Sequence, residues 1–369
     1  MKATVDGAEL AKALGAIVGN VAKGKDALAV LQCVHLEVIE GGQLIASCSN
    51  MDQQSSARLA AAGAVPGVIC VDAAKLAGFA GRLKGDVLLE LDGTRLLVKC
   101  GRAHTRLATI PPDGFIFFGE ASLVSAGRIR ADLLSEAVQA VNHAVSNEQA
   151  RHYLRGIFIE SREDGADFTA TDGHRLATFA AEVDLKAPAV IVPREAIRDV
   201  VKACEMAPDT ELELHICPSL MKLSAPQFTY VTRLIDGQFP DWRRVLPRAE
   251  ASAYFVKPGE LTKAVQLVSA SSDSDKTPIV RLEFSPAGVR VSLAETGSEA
   301  ETFVDAEDGG ASDKAEASTV LNSRYLTDAL GRSPSEGVWL HVPGDEATPI
   351  RFASEAPPLV QVIMPARGR

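Results

Sequence analysis

The sequence predicts an α+β protein made of three similar β-rich units, each carrying two amphipathic helices. Three features support this fold class: an apolar helix stripe, a strand followed directly by a helix, and alternating strand segments after that helix. All three features recur at a nearly constant spacing along the 369 residues. Two independent helix sets that keep one spacing support a repeat more strongly than either set does alone.

The first helix of each unit is predicted from the stripe L-x-x-A-[LV]-x-x-[IV]. This stripe begins at Leu10, at Leu134 and at Leu261. Apolar residues at i, i+3, i+4 and i+7 lie on one face of a helix, so each copy has one side suited to a core. A chance likeness between Ala-rich amphipathic helices is the alternative.

A second helix in each unit is predicted from what precedes it. Short apolar strands at 68–71, 189–192 and 318–321 each end directly before a residue suited to begin a helix. Asp and Asn side chains can accept hydrogen bonds from the first helical turn, and Pro fits that turn without losing a bond. The residues at these three starts are Asp72, Pro193 and Asn322, and the helical stripes open at Leu76, Ile197 and Leu326.

Strand segments complete each unit. Apolar and polar residues alternate at 87–91, 211–214 and 338–342, and Asp92-Gly93 suits a tight hairpin turn. Small residues near 125 and 250 mark the changes from one unit to the next. The predicted domains are therefore residues 1–122, 123–250 and 251–369.

The composition is that of an ordinary globular protein, with 46% hydrophobic residues and a net charge of −10. The longest uncharged run, 59–71, contains Pro66 and is too short to span a membrane. No leader pattern precedes the first helix, so we expect a cytoplasmic protein with no membrane partner. The six cysteines and seven histidines are scattered, which predicts reduced, mostly buried thiols and neither metal nor cofactor.

A threefold repeat suggests how the protein could act on nucleic acid. Two copies of the chain would supply six similar units, which could close into a ring. Basic residues such as Arg194 and Lys202 lie on the predicted helices and would attract a phosphate backbone without recognising bases. For any single residue, an ordinary solvated helix surface is the simpler interpretation.

The string TDGHRL at 171–176 is the most distinctive one in the chain. Asp172 and His174 could form an acid–base pair or ligate a metal, which would make the protein a metal-dependent hydrolase. No further ligand lies at a useful spacing, so a structural turn with Gly173 at positive φ is the favoured interpretation.

Four strings together resemble the bacterial DNA sliding clamp, the beta subunit of DNA polymerase III. They are RHYLRG at 151–156, TDGHRL at 171–176, LIDGQFPDWRRVLP at 234–247 and M-P-x-R at 364–367. The resemblance implies three clamp-type domains closing as a head-to-tail dimer ring around duplex DNA. It implies a non-catalytic subunit of the polymerase holoenzyme. The implied partners are the polymerase III catalytic subunit, the clamp loader, and other polymerases and repair proteins that bind by short linear peptides.

The resemblance also implies a pocket for these peptides between the second and third domains. Apolar side chains in the pocket would bury the anchors of a peptide, and His174, Arg175 and Arg244 could meet its polar atoms. The implied pocket residues are Leu154, Thr171, Gly173, His174, Arg175, Leu176, Pro240, Arg244, Val245, Val362, Met364, Pro365 and Arg367.

The family's DNA and dimer contacts can be placed in the same way. The expected DNA-binding residues are Lys23, Lys25, Gln149, His152, Tyr153, Arg194 and Lys202. The expected dimer contacts are Arg102, His104, Thr105, Ser271, Ser272, Glu299 and Glu301. Thr105, Ser271 and Ser272 stand where apolar anchors are usual, which should weaken the interface. An interaction protein of clamp fold with weakened ring closure is therefore a second hypothesis.

Overall fold

The computed structural model describes residues 1–24, 26–119, 122–247, 252–273, 277–295, 298–309, 317–343, 345, 347–354 and 358–366. Two of the expected site residues, Lys25 and Arg367, lie outside this described part of the chain. The chain forms two compact units. The first comprises Met1–Glu136 and Val183–Asp236, and the second comprises Ala137–Glu182 and Gly237–Arg369.

In the part of the chain that the structure describes, six α-helices form where the two repeated patterns predict them, which confirms both helix sets. Helices α1, α3 and α5 contain the first stripe, and α2, α4 and α6 follow the three short strands. Their bounds are α1 Gly7–Ile17, α2 Ala73–Ala80, α3 Ala131–Val141, α4 Arg194–Met206, α5 Pro258–Ser269 and α6 Ser323–Leu330.

Apart from short 3₁₀ turns, the remaining regular structure of the described chain is β-strand. In chain order the strands are β1 Lys2–Asp6, β2 Cys33–Ile39, β3 Gln43–Ser49, β4 Gln53–Ala60, β5 Ala62–Val65, β6 Gly67–Asp72, β7 Asp86–Asp92, β8 Arg95–Cys100, β9 Ala103–Ile110, β10 Val124–Arg130, β11 Gly156–Arg162, β12 Gly165–Thr171, β13 Arg175–Ala181, β14 Val190–Pro193, β15 Glu211–Cys217, β16 Leu220–Ala225, β17 Phe228–Arg233, β18 Ser252–Val256, β19 Ile279–Ser285, β20 Gly288–Leu293, β21 Glu301–Val304, β22 Glu307–Asp308, β23 Ala317–Asn322, β24 Val338–Val342, β25 Ile350–Ala353 and β26 Leu359–Ile363.

Two of the predicted helix starts are capped by side chains. The Asp72 carboxylate accepts a hydrogen bond from the Lys75 backbone N–H at 2.8 Å. The Asn322 side chain accepts bonds from the N–H groups of Arg324 and Tyr325 at 3.0 and 3.2 Å. Pro193 precedes α4 in an extended conformation and offers no side-chain cap. Polar caps satisfy N–H groups that lack partners inside the helix, so these residues fix where α2 and α6 begin.

The first unit contains one antiparallel sheet of thirteen strands, in the order β10-β15-β16-β17-β4-β3-β2-β6-β9-β8-β7-β1-β5. Asp92 pairs with Arg95 across the predicted hairpin turn, with Gly93 at φ 59°. Helix α1 packs on β3 and β4, and the stripe residues Leu10, Leu14 and Ile17 are buried. One face of this sheet thus meets the apolar side of a helix, as the stripe predicted.

In the second unit, antiparallel strands run in the order β11-β12-β13-β26-β25-β24-β18-β22, and a separate sheet has the order β21-β20-β19-β23. Tyr254, Leu340 and Phe352 point from the larger sheet into a core shared with Leu261 and Leu326 of α5 and α6. The succession β11-β12-β13-β26-β25-β24 repeats the order β2-β3-β4-β17-β16-β15 of the first unit. This likeness supports the repeat, while the domain boundaries remain a prediction.

The cysteines are free thiols, and five of the six are buried, as expected for reduced core residues. Burial raises the pKa of Cys33 to about 11 and that of Cys70 to about 12, which keeps both protonated at neutral pH. No helix in the described part of the chain has the length and apolar character needed to cross a membrane.

Candidate functional site

The string TDGHRL forms the turn that joins β12 to β13, with Thr171 paired to Leu176. The Asp172 carboxylate accepts hydrogen bonds from the backbone N–H groups of His174 and Arg175 at 2.9 and 3.0 Å. The Thr171 hydroxyl donates to the Arg175 carbonyl at 2.7 Å. Gly173 has φ 89°, as the sequence predicted. Asp172 therefore stabilises the turn. Within the described chain, no group of three His, Cys, Asp or Glu residues could hold a metal ion.

Arg175 connects this turn to α6. Its Nε donates to Asp172 at 3.1 Å and its Nη1 donates to Asp328 at 2.6 Å. The guanidinium lies 4.4 Å from the centre of the Tyr325 ring, and only 11% of the side chain is exposed. Because two of its nitrogens and its face are engaged within the protein, Arg175 acts first as a positioning residue for the turn.

The C-terminal strand forms one wall of the site. Leu176 of β13 pairs with Val362 of β26, and both side chains are buried. Beyond the strand, the Met364 N–H donates to the His174 carbonyl at 2.8 Å, and the Ala366 N–H donates to the Val320 carbonyl at 2.7 Å. Met364 remains 39% exposed. An exposed, flexible thioether beside a buried apolar floor suits an apolar anchor of a ligand.

The turn that carries Leu154 lies against the same hairpin. The Arg151 guanidinium donates to the Asp172 carbonyl at 3.0 Å. A Cβ at Gly173 would lie 2.6 Å from that guanidinium, so glycine leaves room for the contact. Leu154 itself is 3% exposed. Residues 151–154, 171–176 and 362–365 are thus held together by direct bonds, although they are distant in the chain.

The connector at 237–247 runs along the second unit's outer strands. Phe239 stacks parallel on Phe158 of β11 with ring centres 4.7 Å apart. Arg243 forms ion pairs with Glu160 at 2.8 Å and Asp167 at 3.0 Å. These contacts hold the short helical turn Trp242–Val245 against the sheet. Three expected pocket residues of this connector, Pro240, Arg244 and Val245, are exposed.

Sequence reasoning missed the residues that hold the site in place. Asp328, Tyr325, Arg243 and Asp167 touch it only through other side chains. Arg243 lies within the string at 234–247, and Asp328 stands out only as an acidic residue on a basic helix face. No local pattern links either residue to its partner.

His143 follows α3 and lies close to the Arg175–Asp328 pair. Burial and, next, the positive charge of Arg175 lower the pKa of His143 from its ordinary 6.5 to about 4. In the unfolded chain the imidazole takes up a proton near pH 6.5, whereas in the folded chain it does so only near pH 4. His143 therefore contributes its stability fully above pH 6.5, and this contribution is lost as the pH falls from 6.5 towards 4.

We expect the free energy of unfolding to fall by on the order of 2 kcal/mol more in the wild type than in His143→Gln between about pH 7.5 and about pH 4.5. Urea unfolding at several pH values measures the difference. His35 and His341, whose pKa values burial also lowers, act in the same direction in both proteins and cancel in the comparison. Parallel pH profiles of the two proteins would contradict the assignment.

The expected DNA-binding residues differ in how available they are. Lys23, Gln149 and His152 are exposed, and the His152 ring lies edge-on to Tyr153 at 5.7 Å. Arg194, the first residue of α4, is half-buried. These five residues remain candidates for DNA contact, a role that stays a prediction.

Lys202 is the least available of the expected DNA-binding residues. Its ammonium donates to the Gly15 carbonyl near the end of α1 at 3.3 Å and lies 4.0 Å from the buried Asp199 carboxylate. Only 28% of the side chain is exposed. A cation at a helix C-terminus stabilises the helix dipole, so Lys202 has a structural use that the sequence did not show.

The expected dimer contacts lie at the β8–β9 hairpin, around β21 and after the end of α5. Arg102, His104 and Thr105 belong to the β8–β9 hairpin, where the first two are exposed. Glu301 is on β21, where its carboxylate accepts from Arg290 Nε at 2.9 Å, and Glu299 precedes it. Ser271 and Ser272 follow α5, the first exposed and the second half-buried, and the Ser272 hydroxyl donates to Glu295 at 2.6 Å.

Helix pairs on antiparallel sheets, repeated along one chain and joined to an apolar site beside the C-terminal strand, define the class of DNA sliding clamps. Two family models match: the central domain of the DNA polymerase III beta subunit at residues 128–241, and its C-terminal domain at residues 243–367. Together they cover well over half of the chain. The chain belongs to the family of DNA polymerase III beta subunits, the bacterial sliding clamps.

Individual relatives agree with this assignment along the whole length. The beta sliding clamp of Caulobacter vibrioides is 29% identical over 375 residues, covering 98% of this chain and 96% of that protein. That of Escherichia coli K12 is 26% identical over 344 residues, covering 92% of each. A Pseudomonas aeruginosa sliding clamp bound to griselimycin superposes with a TM-score of 0.91 at 28% identity, covering 100% of this chain and 99% of that one. The resemblance, the clamp fold and the sliding-clamp function predicted from the sequence are confirmed.

Proposed function

We propose that two copies of this chain close head to tail into a ring around duplex DNA. The ring would tether the catalytic subunit of DNA polymerase III, and would bind the clamp loader, other polymerases and repair proteins through short linear peptides. It would work in the cytoplasm as a non-catalytic subunit of the holoenzyme. One observation supports the proposal of a ring: each unit has an open strand edge, and the two edges have opposite charge.

The first edge is β9. Residues 103–107 pair with β8 on one side, and on the other side β6 reaches only Thr109 and Ile110. The second edge is β21, which pairs with β20. Within the described chain, no strand covers the outer side of either segment. Open edges offer N–H and C=O groups to a strand of another molecule.

The two edges are complementary in charge. On the β9 edge and its turn, residues 102–107 contain Arg102 and Arg106 and no acidic residue. Residues 299–304, which include β21, contain Glu299 and Glu301 and no basic residue, and Glu301 pairs with Arg290 of the neighbouring strand. A basic edge on one copy and an acidic edge on the other favour heterologous pairing, which can close into a ring. With Thr105, Ser271 and Ser272 in place of apolar anchors, charge would supply a large share of the attraction.

Reversing one charge on the basic edge tests this proposal. Arg106→Glu is expected to raise the dimer dissociation constant at least about tenfold, because a like charge would face the acidic edge. Analytical ultracentrifugation at about 50 mM and about 500 mM salt measures it, and the wild-type dimer should weaken at the higher salt.

Lys186→Glu is the matched control, since Lys186 is 85% exposed and lies on neither edge. If Arg106→Glu and Lys186→Glu have equal dimer dissociation constants, the β9 edge is not part of the interface. A wild-type protein that stays monomeric at micromolar concentration would favour the interaction protein without ring closure.

For DNA, we propose contacts to phosphates by Lys23, Gln149, His152, Tyr153 and Arg194, with Lys25 and Lys202 as the remaining expected residues. All are polar, basic or aromatic groups outside a recognition motif, so binding would not depend on base sequence. For partner peptides, we propose the site formed by Leu154, Leu176, Val245, Val362 and Met364.

A further inference from the structure

The outer face of the larger sheet in the second unit carries a polar and aromatic surface that no part of the described chain explains. Alternate residues of β18, β24 and β25 point into the core, among them Tyr254, Leu340 and Phe352. Their neighbours on the opposite face are only partly buried, and they are Ala253, Phe255, Trp339, His341, Arg351 and Ala353.

This face is continuous with the apolar floor of the proposed peptide site. Leu176 pairs with Val362, Val362 with Arg351, and Arg351 with His341. Residues directly opposite on neighbouring strands have Cβ atoms roughly 5 Å apart. Arg351 is therefore the next side chain across the sheet from Val362, and His341 follows it.

Arg351 and His341 both hold a buried nitrogen without a partner. Arg351 Nε and His341 Nδ1 make no hydrogen bond within the described chain. No described carboxylate lies within ion-pair distance of Arg351. A buried donor without a partner costs stability. An arginine and a histidine side by side in cross-strand register suit a carboxylate, because the guanidinium N–H groups and an imidazole N–H can both donate to its oxygens.

An aromatic pair lies one row further along the same strands. Trp339 is 36% exposed and pairs with Phe255, with ring centres 5.2 Å apart. Two glycines leave room for the rings. A Cβ at Gly309 would lie 2.8 Å from Trp339, and one at Gly337 would overlap Phe255. An exposed indole next to a cation offers an apolar contact and a charged contact to one ligand.

We propose that Trp339, His341 and Arg351, here called the outer strip, bind an acidic residue and a neighbouring apolar residue that flank the anchor motif of a partner peptide. The inference rests on the proposed peptide-binding function and names the chemistry that would extend it. A partner with such a flank would span the apolar site and the outer strip together, so its affinity would exceed that of the anchor motif alone.

Fluorescence anisotropy with labelled peptides tests the outer strip. The core peptide carries Gln and spaced Leu/Phe anchors, and two longer peptides add Asp-Leu-Asp at one end or the other. We expect one extension to raise wild-type affinity about tenfold. Arg351→Gln should lose this gain and still bind the core peptide as the wild type does. Arg281→Gln, which removes the same charge from the separate four-stranded sheet, should keep the gain.

The results distinguish a failure of the outer-strip proposal from a failure of the peptide-site proposal. The outer-strip proposal is wrong if neither extension raises the peptide affinity, or if the increase persists in Arg351→Gln. If the core peptide does not bind the wild type, the proposed peptide site is wrong. In that case, binding of the isolated Asp-Leu-Asp peptide tests the outer strip by itself. Fluorescence quenching that Trp339→Phe and Arg351→Gln abolish would support it, and no quenching would overturn it.

Discussion

Deleting residues 364–369 is expected to abolish binding of a polymerase tail peptide while the protein stays folded. The deletion removes the exposed Met364 side chain and two backbone bonds, from Met364 to His174 and from Ala366 to Val320. Strand β26 ends at Ile363, so its pairing with β13 and β25 is kept. A short peptide on a small apolar site should bind at micromolar strength, roughly −8 kcal/mol, so losing one wall brings it below detection.

Isothermal titration calorimetry measures the loss, and two further variants locate it. Deleting residues 368–369 alone should leave the affinity unchanged. Met364→Ala should cost on the order of 1–3 kcal/mol of binding free energy, as truncation of a central anchor does. If the intact and truncated chains bind the peptide equally well, Met364 does not belong to the site, although the clamp fold is unaffected.

The helices were predictable because their signals are local. The stripe that begins at Leu10 sets a buried face over about two helical turns. Asp72 and Asn322 accept their capping bonds from residues two or three positions away. The turn at 171–176 was also predictable, since Gly173 supplies the positive φ and the Asp172 carboxylate accepts two backbone bonds from within the turn. Such features depend on chain geometry that a few neighbouring residues decide.

The pairing of distant segments could not be predicted from the residues. Strand β4 pairs with β17 and β13 pairs with β26, yet an alternating pattern does not name its partner strand. In the sequence, Lys202 resembles a solvent-exposed basic residue of a helix, but its ammonium donates a hydrogen bond to the Gly15 carbonyl. The peptide-site residues came from the family resemblance, because Leu154, Leu176 and Val362 resemble any other core residues in the sequence.

Replacing Arg175 by alanine is expected to lower the free energy of unfolding by about 3 kcal/mol, because removing one partner of a nearly buried ion pair leaves the others uncompensated. Asp172 would lose the guanidinium while its side chain stays 14% exposed, and Asp328 would lose a bond of 2.6 Å. Urea unfolding measures the change. Arg128→Ala is the matched control, since the Arg128–Glu213 pair is exposed on both sides and should contribute less than about 1 kcal/mol.

The position of Arg175 also predicts a second effect that a general loss of stability would not produce. The residue joins the 171–176 turn to α6, so Asp328→Asn should weaken peptide binding although Asp328 is not among the proposed contacts. In a double-mutant cycle, Arg175→Ala and Asp328→Asn should couple by about 1 kcal/mol or more in binding. Additive effects in binding together with coupling in unfolding would show that the bond supports the fold but does not position the turn for the peptide.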